Sequence, residues 1–272
     1  MIELEDNVGD IVGKAQRGLG VSDSQLAEKS GLKPEQLRAI RDGNYDQAAL
    51  RTIAPVLDLD ANVLVDIAEG KWKPDKLETF DGLAQFNTSF EGMLVNAYLV
   101  WDPATKDAAA FDTGADSAGM LKLATKENLS IKFILLTHAH SDHVADLPRL
   151  REETGAEVFA PEREPVPGAG KIEEGKRFRI GKIDIEARLT WGHSPGGMTF
   201  VATGLARPIA IVGDSLFAGS MGGGSVSYKD ALQNNLQKIL TLPEEAIICP
   251  GHGPMTSVGE EKKHNPFFAG KV

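Results

Sequence analysis

The pattern of apolar and polar positions changes at about residue 72 of the chain. Before that point, apolar side chains recur at helical spacing in short segments separated by turns such as "SGLKP". Later, apolar residues form short runs bounded by Gly, Pro and Asp, such as "IKFILLT", which is typical of strands. Helical patterns lie between these runs. The sequence therefore predicts a small all-α domain over residues 1–72 and an α/β domain over residues 78–272.

Within the first domain, "LAEKSGLKPEQLRAIRDG" resembles the helix-turn-helix of repressor-like domains, with Gly31 in the turn. Over residues 1–70, however, thirteen Asp and Glu residues outnumber seven Lys and Arg residues. Pro34 and Glu35 also occupy the positions where base-reading side chains would lie. DNA is thus a possible partner that the acidic charge disfavours. The sequence favours instead a helical bundle that forms a homo-oligomer or covers the second domain.

Composition restricts the class of protein further. The chain has 272 residues, of which 42% are hydrophobic and 25% charged, and its formal net charge is −10. Nucleic acid is a poor main partner for such a chain, because phosphate binding relies on Lys and Arg. The start of the sequence lacks the features of a signal peptide, and no apolar run is long enough to span a membrane. With Cys249 as the single cysteine, these features indicate a reducing, cytoplasmic setting.

The candidate chemistry lies in histidines that cluster with acidic residues. Three histidines and an aspartate fall within the six positions of "HAHSDH", directly after an apolar run. "WGHSPGG", "IVGDSLF" and "PGHGP" add two histidines and an aspartate after later strand patterns. Imidazole and carboxylate bind zinc and non-haem iron, and without a metal such clustering would cost desolvation energy. The predicted metal residues are His138, His140, Asp142, His143, His193, Asp214 and His252.

These motifs resemble those of the metallo-β-lactamase superfamily. "FDTGAD", "WGHSPGG", "GDSLFAGS" and "PGHGPMTSVGEEKKHNPFF" are similar to its motifs and occur in the same order. The last two are similar to those of the glyoxalase II-like branch. The resemblance covers residues 78–272 and implies an αββα sandwich, so the expected fold class is α/β with a preceding helical domain.

The resemblance also implies a role for each clustered residue. It assigns His138, His140 and His193 to a first metal. It assigns Asp142, His143 and His252 to a second metal, and Asp214 to a position that bridges the two. Asp112 matches an aspartate that orients a ligand from outside the metal site. A turn residue before Gly114 is an equally good interpretation of Asp112.

Such a site implies a metal-dependent hydrolase with two divalent ions, expected to be zinc, with iron or manganese as alternatives. A metal-bound hydroxide would attack the carbonyl of a small-molecule thioester or other acyl ester. Asp142 would act as the catalytic residue that orients this hydroxide. A thiolate leaving group needs little acid assistance, which suits thioester hydrolysis.

Two alternatives remain open. The loop "AGSMGGGSVSY", flexible by its composition, has no Lys or Arg to bind a glutathione carboxylate, and Tyr228 and Lys229 follow as candidate substrate contacts. A single iron held by His138, His193 and Asp214 would make the protein a persulfide dioxygenase. The helix-turn-helix resemblance suggests instead a DNA-binding regulator with a metal-containing sensor domain.

Overall fold

A computed structural model describes residues 2–77 and 80–272 of the chain. The predicted start of the α/β domain, residue 78, lies outside these residues. The N-terminal segment consists of short helices: α1 (Val8–Gly18), α2 (Asp23–Ser30), α3 (Pro34–Arg41), α4 (Gln47–Ile53), a 3₁₀ turn (Pro55–Leu57) and α5 (Ala61–Ala68). In the described ranges, no helix is both long enough and apolar enough to cross a membrane.

Local sequence signals explain where these helices begin and end. The Asn7 side chain accepts hydrogen bonds from the first backbone amides of α1, and the Ser22 hydroxyl does the same for α2. Gly31 ends α2 with a φ of 69°, a left-handed conformation that glycine adopts without a steric penalty. Helices α2 and α3 coincide with the helices of the predicted helix-turn-helix, whose binding of DNA stays a prediction.

Two six-stranded sheets form the centre of the remaining described chain. The first contains β1 (Leu83–Phe90), β2 (Met93–Trp101), β3 (Asp107–Phe111), β4 (Ser130–Leu135), β5 (Glu157–Pro161) and β6 (Gly170–Ile172), in that order. The second contains β7 (Arg177–Ile180), β8 (Ile183–Leu189), β9 (Met198–Thr203), β10 (Ile209–Gly213), β11 (Ile247–Pro250) and β12 (Thr256–Ser257). Both sheets are mixed, since β3 to β6 pair in parallel and so do β10 and β11.

Helices cover the outer faces of both sheets. They are α6 (Ala118–Glu127), α7 (Ser141–Val144), α8 (Leu147–Thr154), α9 (Tyr228–Asn234) with a π-helical turn after it (Asn235–Ile239), and α10 (Val258–His264). Between the sheets, the Phe111 and Phe200 rings pack with their centroids 5.4 Å apart, inside a core of aliphatic strand residues. Helices α6 and α8 bury their apolar faces against the first sheet. The predicted αββα arrangement is confirmed.

The N-terminal helices share one hydrophobic core with the outer face of the second sheet. Ile11 of α1 and Leu64 of α5 belong to the same buried cluster as Val212 of β10 and Val258 of α10. The indole nitrogen of Trp72 donates a hydrogen bond of 2.9 Å to Glu260 of α10, which adds a polar contact to this packing. The helical segment therefore lies against the α/β part of the chain, while its status as a separate domain stays a prediction.

Candidate metal centre

The predicted metal residues follow buried strands and lie in loops, except for Asp142 and His143, which lie in the short helix α7. The "HAHSDH" segment follows β4 and runs into α7, His193 follows β8, Asp214 follows β10 and His252 follows β11. Because β10 and β11 are parallel neighbours, their carboxyl ends meet at the same edge of the second sheet. His193 is partly buried and His140 is exposed, whereas the other five predicted ligands are buried. The sandwich thus converges side chains from distant parts of the sequence on one point.

One group of side chains contains the residues assigned to the first metal. His140 Nδ1 lies 3.0 Å from His138 Nε2 and 3.2 Å from His193 Nε2. Asp214 Oδ2 lies 3.4 Å from His193 Nε2. Four ligand atoms, one from each of these residues, lie within 4.8 Å of one another. This is the spacing expected of donors that surround a single ion.

A second group lies directly beside the first. Asp142 Oδ2 is 3.5 Å from His143 Nε2 and 3.3 Å from His252 Nε2. Asp214 also faces this group, because its Oδ1 lies 3.3 Å from His143 Nε2 and its Oδ2 lies 3.5 Å from His252 Nε2. Asp214 therefore occupies the position between the two groups that a bridging carboxylate requires.

The donor set and its surroundings fit a metal ion. His143 Nε2 and Asp214 Oδ1 are buried, yet neither makes a hydrogen bond of acceptable geometry within the described residues. Buried polar atoms are normally paired, so an unpaired nitrogen and oxygen that face each other indicate a missing partner. Imidazole and carboxylate donors suit zinc, iron or manganese. The structure thus fits a metal at both groups, while the individual ligand assignments and the identity of the metal stay predictions.

In four of the histidines Nε2 faces the cluster, and the second ring nitrogen, Nδ1, contacts an oxygen. Two of these oxygens are backbone carbonyls, since His193 Nδ1 lies 3.0 Å from Gly223 O and His252 Nδ1 lies 2.6 Å from Leu94 O. The side chains of Thr137 and Asp112 provide the others, at 3.0 Å from His138 Nδ1 and 2.8 Å from His143 Nδ1. Donation from Nδ1 to these oxygens leaves each Nε2 lone pair directed at the cluster, which is the orientation that a metal needs.

Asp112 connects two of these histidines: it contacts His143 directly, and it contacts the Thr137 hydroxyl that lies beside His138. Its carboxylate accepts hydrogen bonds of 2.7 Å from the backbone amide and from the hydroxyl of Thr137, in addition to its contact with His143. Asp112 is buried and has a φ of 56°. These contacts match the ligand-orienting role that the sequence resemblance implied.

The charges of the site balance within it. Burial opposes the ionisation of Asp214, but the neighbouring imidazoles of His143 and His252 hold the pKa of its carboxyl well below the usual range. Burial likewise disfavours the charged form of His138 and, with the nearby His143, lowers the pKa of that imidazole well below its ordinary value. Burial also disfavours the charged forms of His143 and His252, but the neighbouring aspartates raise the pKa of His143 to about 10 and that of His252 to about 11. A divalent cation would therefore bind these two rings in exchange for their protons.

Glu164 contributes a contact that the sequence did not reveal. Its Oε2 accepts a hydrogen bond of 2.8 Å from the backbone amide of Ala139, between two predicted ligands. Its Oε1 accepts one of 2.6 Å from the backbone amide of Gly196, three residues after His193. One carboxylate therefore holds together the two loops that carry His138, His140 and His193.

Replacement of Glu164 by Gln should lower metal affinity by roughly 10-fold or more, the range found when groups that orient metal ligands are lost. The amide group can accept only one of the two backbone hydrogen bonds and would point a donor at the other N–H. Competition with a chelator of known affinity would measure the change for zinc. The Glu162→Gln variant, whose carboxylate contacts the exposed Lys171, is a matched control. Equal zinc affinity in the two variants would contradict the role of Glu164.

The first part of the glycine-rich loop after Asp214 is packed, whereas Ser225 and Val226 farther along it are exposed. Residues 217–222 are buried. A Cβ placed on Gly222 would overlap the carbonyl oxygen of Asp214 and lie 3.1 Å from His193 Nδ1. The composition of the loop suggested flexibility, but at this position glycine permits a close approach to two predicted ligands. Tyr228 is buried, and its ring packs against Gly18 of α1.

Side chains of helix α10 and of the residue after it fix the backbone of this loop through hydrogen bonds. The Glu261 carboxylate accepts hydrogen bonds from the Gly219 amide at 3.0 Å, the Thr256 hydroxyl at 2.8 Å and the Asn265 amide at 2.8 Å. Asn265 in turn donates a hydrogen bond of 2.7 Å to Ser220 O. The Glu and Asn of the C-terminal "EKKHNPFF" motif thus act by fixing the backbone that follows Asp214.

This arrangement predicts a pH-dependent stability. Burial raises the pKa of Glu261 from 4.5 to about 7, despite the three hydrogen bonds that favour its charged form. Its contribution to the free energy of unfolding is therefore complete below pH 4.5 and is lost as the pH rises through about 7. The loss should reach roughly 3 kcal/mol, at about 1.4 kcal/mol per pKa unit.

The test compares urea unfolding of the wild type with that of Glu261→Gln, both with chelator present, from pH 5 to pH 8. The amide resembles the neutral acid, so its stability should change less over this range. The Glu245→Gln variant changes an exposed glutamate and should follow the wild type. Parallel pH profiles for the wild type and Glu261→Gln would exclude Glu261 as the titrating group.

Comparison with known proteins places this geometry in a family. Residues 91–252 match the family model described as metallo-beta-lactamase superfamily. Hydroxyacylglutathione hydrolase GloC of Haemophilus influenzae is 29% identical over 201 residues, which are 65% of this chain and 93% of that protein. The structure of BLEG-1, a B3 metallo-beta-lactamase, is 30% identical with a TM-score of 0.61, and the match covers 69% of this chain and 100% of BLEG-1.

A further solved structure, TTHA1623 in a di-iron-bound form, is 30% identical with a TM-score of 0.55 and covers 67% of this chain and 99% of its own. The family model spans more than half of the present chain, and its bounds include His138 and His252, the first and last of the predicted ligands. The chain therefore belongs to the metallo-β-lactamase superfamily.

Proposed function

We propose that this protein is a metal-dependent hydrolase of thioesters or other acyl esters. The observation that carries the proposal is the arrangement of seven predicted ligands in two adjoining groups, with Asp214 within 3.5 Å of a histidine in each. Two divalent cations bound there would supply an activated water at neutral pH and polarise the scissile carbonyl.

The residues of the chain provide the remaining parts of the mechanism. The buried carboxylate of Asp214 supplies negative charge at the centre of the site. Burial raises the pKa of Asp142, but its contacts with His252 and His143 lower it overall, so the carboxylate is charged and can orient a water molecule. His140 is exposed, so the site is open to solvent at this residue.

Similarity to GloC supports a thioester substrate, since that protein is named as a hydroxyacylglutathione hydrolase. The loop from residue 215 to residue 228 has no Lys or Arg, however, and the side chain of Tyr228 is buried. A glutathione carboxylate would therefore find no cationic partner in this loop. The proposed substrate class is accordingly a thioester or acyl ester, without a commitment to glutathione.

Elemental analysis combined with an assay of thiol or alcohol release tests this proposal. We expect about two metal ions per chain and hydrolysis that a chelator abolishes. A single iron per chain, with oxygen consumed on addition of glutathione persulfide, would overturn the proposal and indicate a persulfide dioxygenase. Absence of metal after reconstitution would favour a regulatory function.

We infer that the N-terminal helices cover the second sheet and do not bind DNA. The arginines of α3 that a DNA-binding helix would use both contact carboxylates, Arg38 with Glu35 and Arg41 with Asp23. Helix α1 packs into the shared core. A gel-shift titration at low salt, where electrostatic binding is strongest, should show no complex. A sequence-specific complex would contradict this inference.

A further inference from the structure

A cleft of about 610 Å³ lies between the N-terminal segment 2–5 and the tip of the hairpin formed by β1 and β2. Leu4 and Glu5 line one side, Met93 and Leu94 line the other, and Gly253 lies at its base. The cleft is built partly from a segment that precedes the region matched by the family model, residues 91–252. Part of its lining therefore lies outside the matched region.

Backbone contacts connect the cleft to the metal centre. His252 Nδ1 donates a hydrogen bond of 2.6 Å to the carbonyl oxygen of Leu94, so the hairpin wall is attached to a predicted ligand. Gly253 follows His252, and a Cβ placed on it would lie 3.1 Å from the backbone nitrogen of Glu5. The N-terminal segment thus passes directly beside the loop that holds His252. A substrate at the metal centre could extend an arm into this cleft.

The hairpin wall is apolar and open to solvent. The relative exposure of Met93 is 52% and that of Leu94 is 47%, both high values for large hydrophobic side chains. Exposed apolar side chains next to a polar site are a common feature of ligand-binding clefts. Methionine adapts its shape to different apolar groups. This wall suits an apolar portion of a substrate.

The opposite wall carries two acidic side chains, Glu3 and Glu5. Glu3 forms an ion pair with Lys73 at 2.9 Å, which offsets its charge. Glu5 has no Lys, Arg or His nitrogen within 4.0 Å among residues 2–77 and 80–272. None of the described side chains that line the cleft belongs to Lys or Arg. An anionic substrate arm would therefore be repelled, and a neutral or cationic arm would be accepted.

We infer that this cleft binds a neutral or cationic, partly apolar arm of the acyl substrate, and that Glu5 excludes anionic substrates. The inference rests on the proposed hydrolase function. It also accounts for the absence of a cationic partner for glutathione near Asp214, because both features disfavour an anionic substrate.

The test uses three thioesters that share a reaction centre and differ only in an arm of equal length that is neutral, cationic or anionic. In the wild type, kcat/KM should be lowest for the anionic substrate. The Glu5→Lys variant should raise kcat/KM for the anionic substrate relative to the neutral one by about 10-fold, and added salt should reduce this gain. The Glu28→Gln variant, altered on the exposed surface of α2, should match the wild type. If the ratio of kcat/KM for the anionic substrate to that for the neutral one is the same in Glu5→Lys as in the wild type, the inference is overturned.

A binding measurement separates this inference from the hydrolase proposal. Thioether analogues of the three substrates, which cannot be hydrolysed, are titrated calorimetrically into the wild type and the Glu5→Lys and Leu94→Ser variants. Leu94→Ser keeps the backbone carbonyl that binds His252 and should weaken only the apolar arm. If binding follows residue 5 but no substrate is hydrolysed, the hydrolase proposal fails, whereas the charge preference assigned to the cleft is retained. If hydrolysis occurs while binding and kcat/KM ignore both substitutions, the cleft inference fails.

Discussion

The Asp214→Asn variant should bind metal at least about 100-fold more weakly than the wild type. Loss of a group that only orients a ligand lowers metal affinity by about 10–100-fold, and the loss of a ligand should exceed this range. Asp214 Oδ1 lies 3.3 Å from His143 Nε2, and its Oδ2 lies 3.4 Å from His193 Nε2. Replacement by an amide removes the negative charge shared by both groups and leaves one oxygen where two are needed. Hydrolysis of acyl esters should fall in proportion. Metal content after dialysis against a chelator and the rate of hydrolysis measure the two effects.

A matched substitution shows whether the loss is specific. Asp184 lies on β8 and its carboxylate contacts Arg179 at the surface, so Asp184→Asn removes the same charge away from the site. This control should keep its metal and activity. Circular dichroism of both variants would verify that the helices and sheets remain folded. If Asp214→Asn retains both metals, the bridging assignment is wrong.

The Asp112→Asn variant should show a loss of about 10–100-fold in metal affinity without contacting the metal itself. The carboxylate accepts hydrogen bonds from Thr137 and lies 2.8 Å from His143 Nδ1. Asparagine tolerates the φ of 56° found at this position, so the turn should persist. An amide nitrogen cannot accept a hydrogen bond, however. At the Oδ2 position it would leave both His143 and the Thr137 hydroxyl without an acceptor, and at the Oδ1 position it would leave the Thr137 backbone amide without one. A stepwise metal titration should show that the group containing His143 weakens most.

The nearby Asp116 provides the control for this experiment. Its side chain is 59% exposed and contacts Arg149, and Asp116→Asn should bind metal as the wild type does. If Asp112→Asn has the same metal affinity as this control, Asp112 is a turn residue only, which is the alternative that the sequence left open.

The α/β class of the fold and the clustering of the histidines were predictable from local signals, whereas the αββα arrangement was implied by the resemblance to a known superfamily. Histidine and carboxylate side chains are common metal ligands, and "HAHSDH" places several of them directly after an apolar strand. The alternation of strand and helix patterns determines the class of the fold. Asp112 was recognisable only through the resemblance, since an aspartate before a glycine is also common in turns.

Contacts that depend on three-dimensional proximity were not predictable. Glu164 lies in a polar loop after β5, and no sequence spacing relates it to the amides of Ala139 and Gly196. The burial of Gly222 depends on the path of the chain around Asp214, which the sequence does not show. The glycine-rich composition of the loop therefore suggested only flexibility. Periodicity likewise shows that a helix has an apolar face but does not identify the surface that covers it. The sequence therefore offered packing on the second domain only as an alternative to a homo-oligomer, and it did not single out the second sheet as the surface that α1 covers.

The hydrophobic core common to the N-terminal helices and the second sheet determines how the protein should melt. Ile11 and Val212 belong to the same buried cluster, so separation of the helices would expose apolar surface on both parts. A differential scanning calorimeter should therefore record one endothermic peak instead of two. At about 0.7 kcal/mol per residue near 60 °C, the enthalpy of that peak should be roughly 190 kcal/mol for the full chain. The two parts of the chain, although distinct in sequence pattern, should lose their native structure as one cooperative unit.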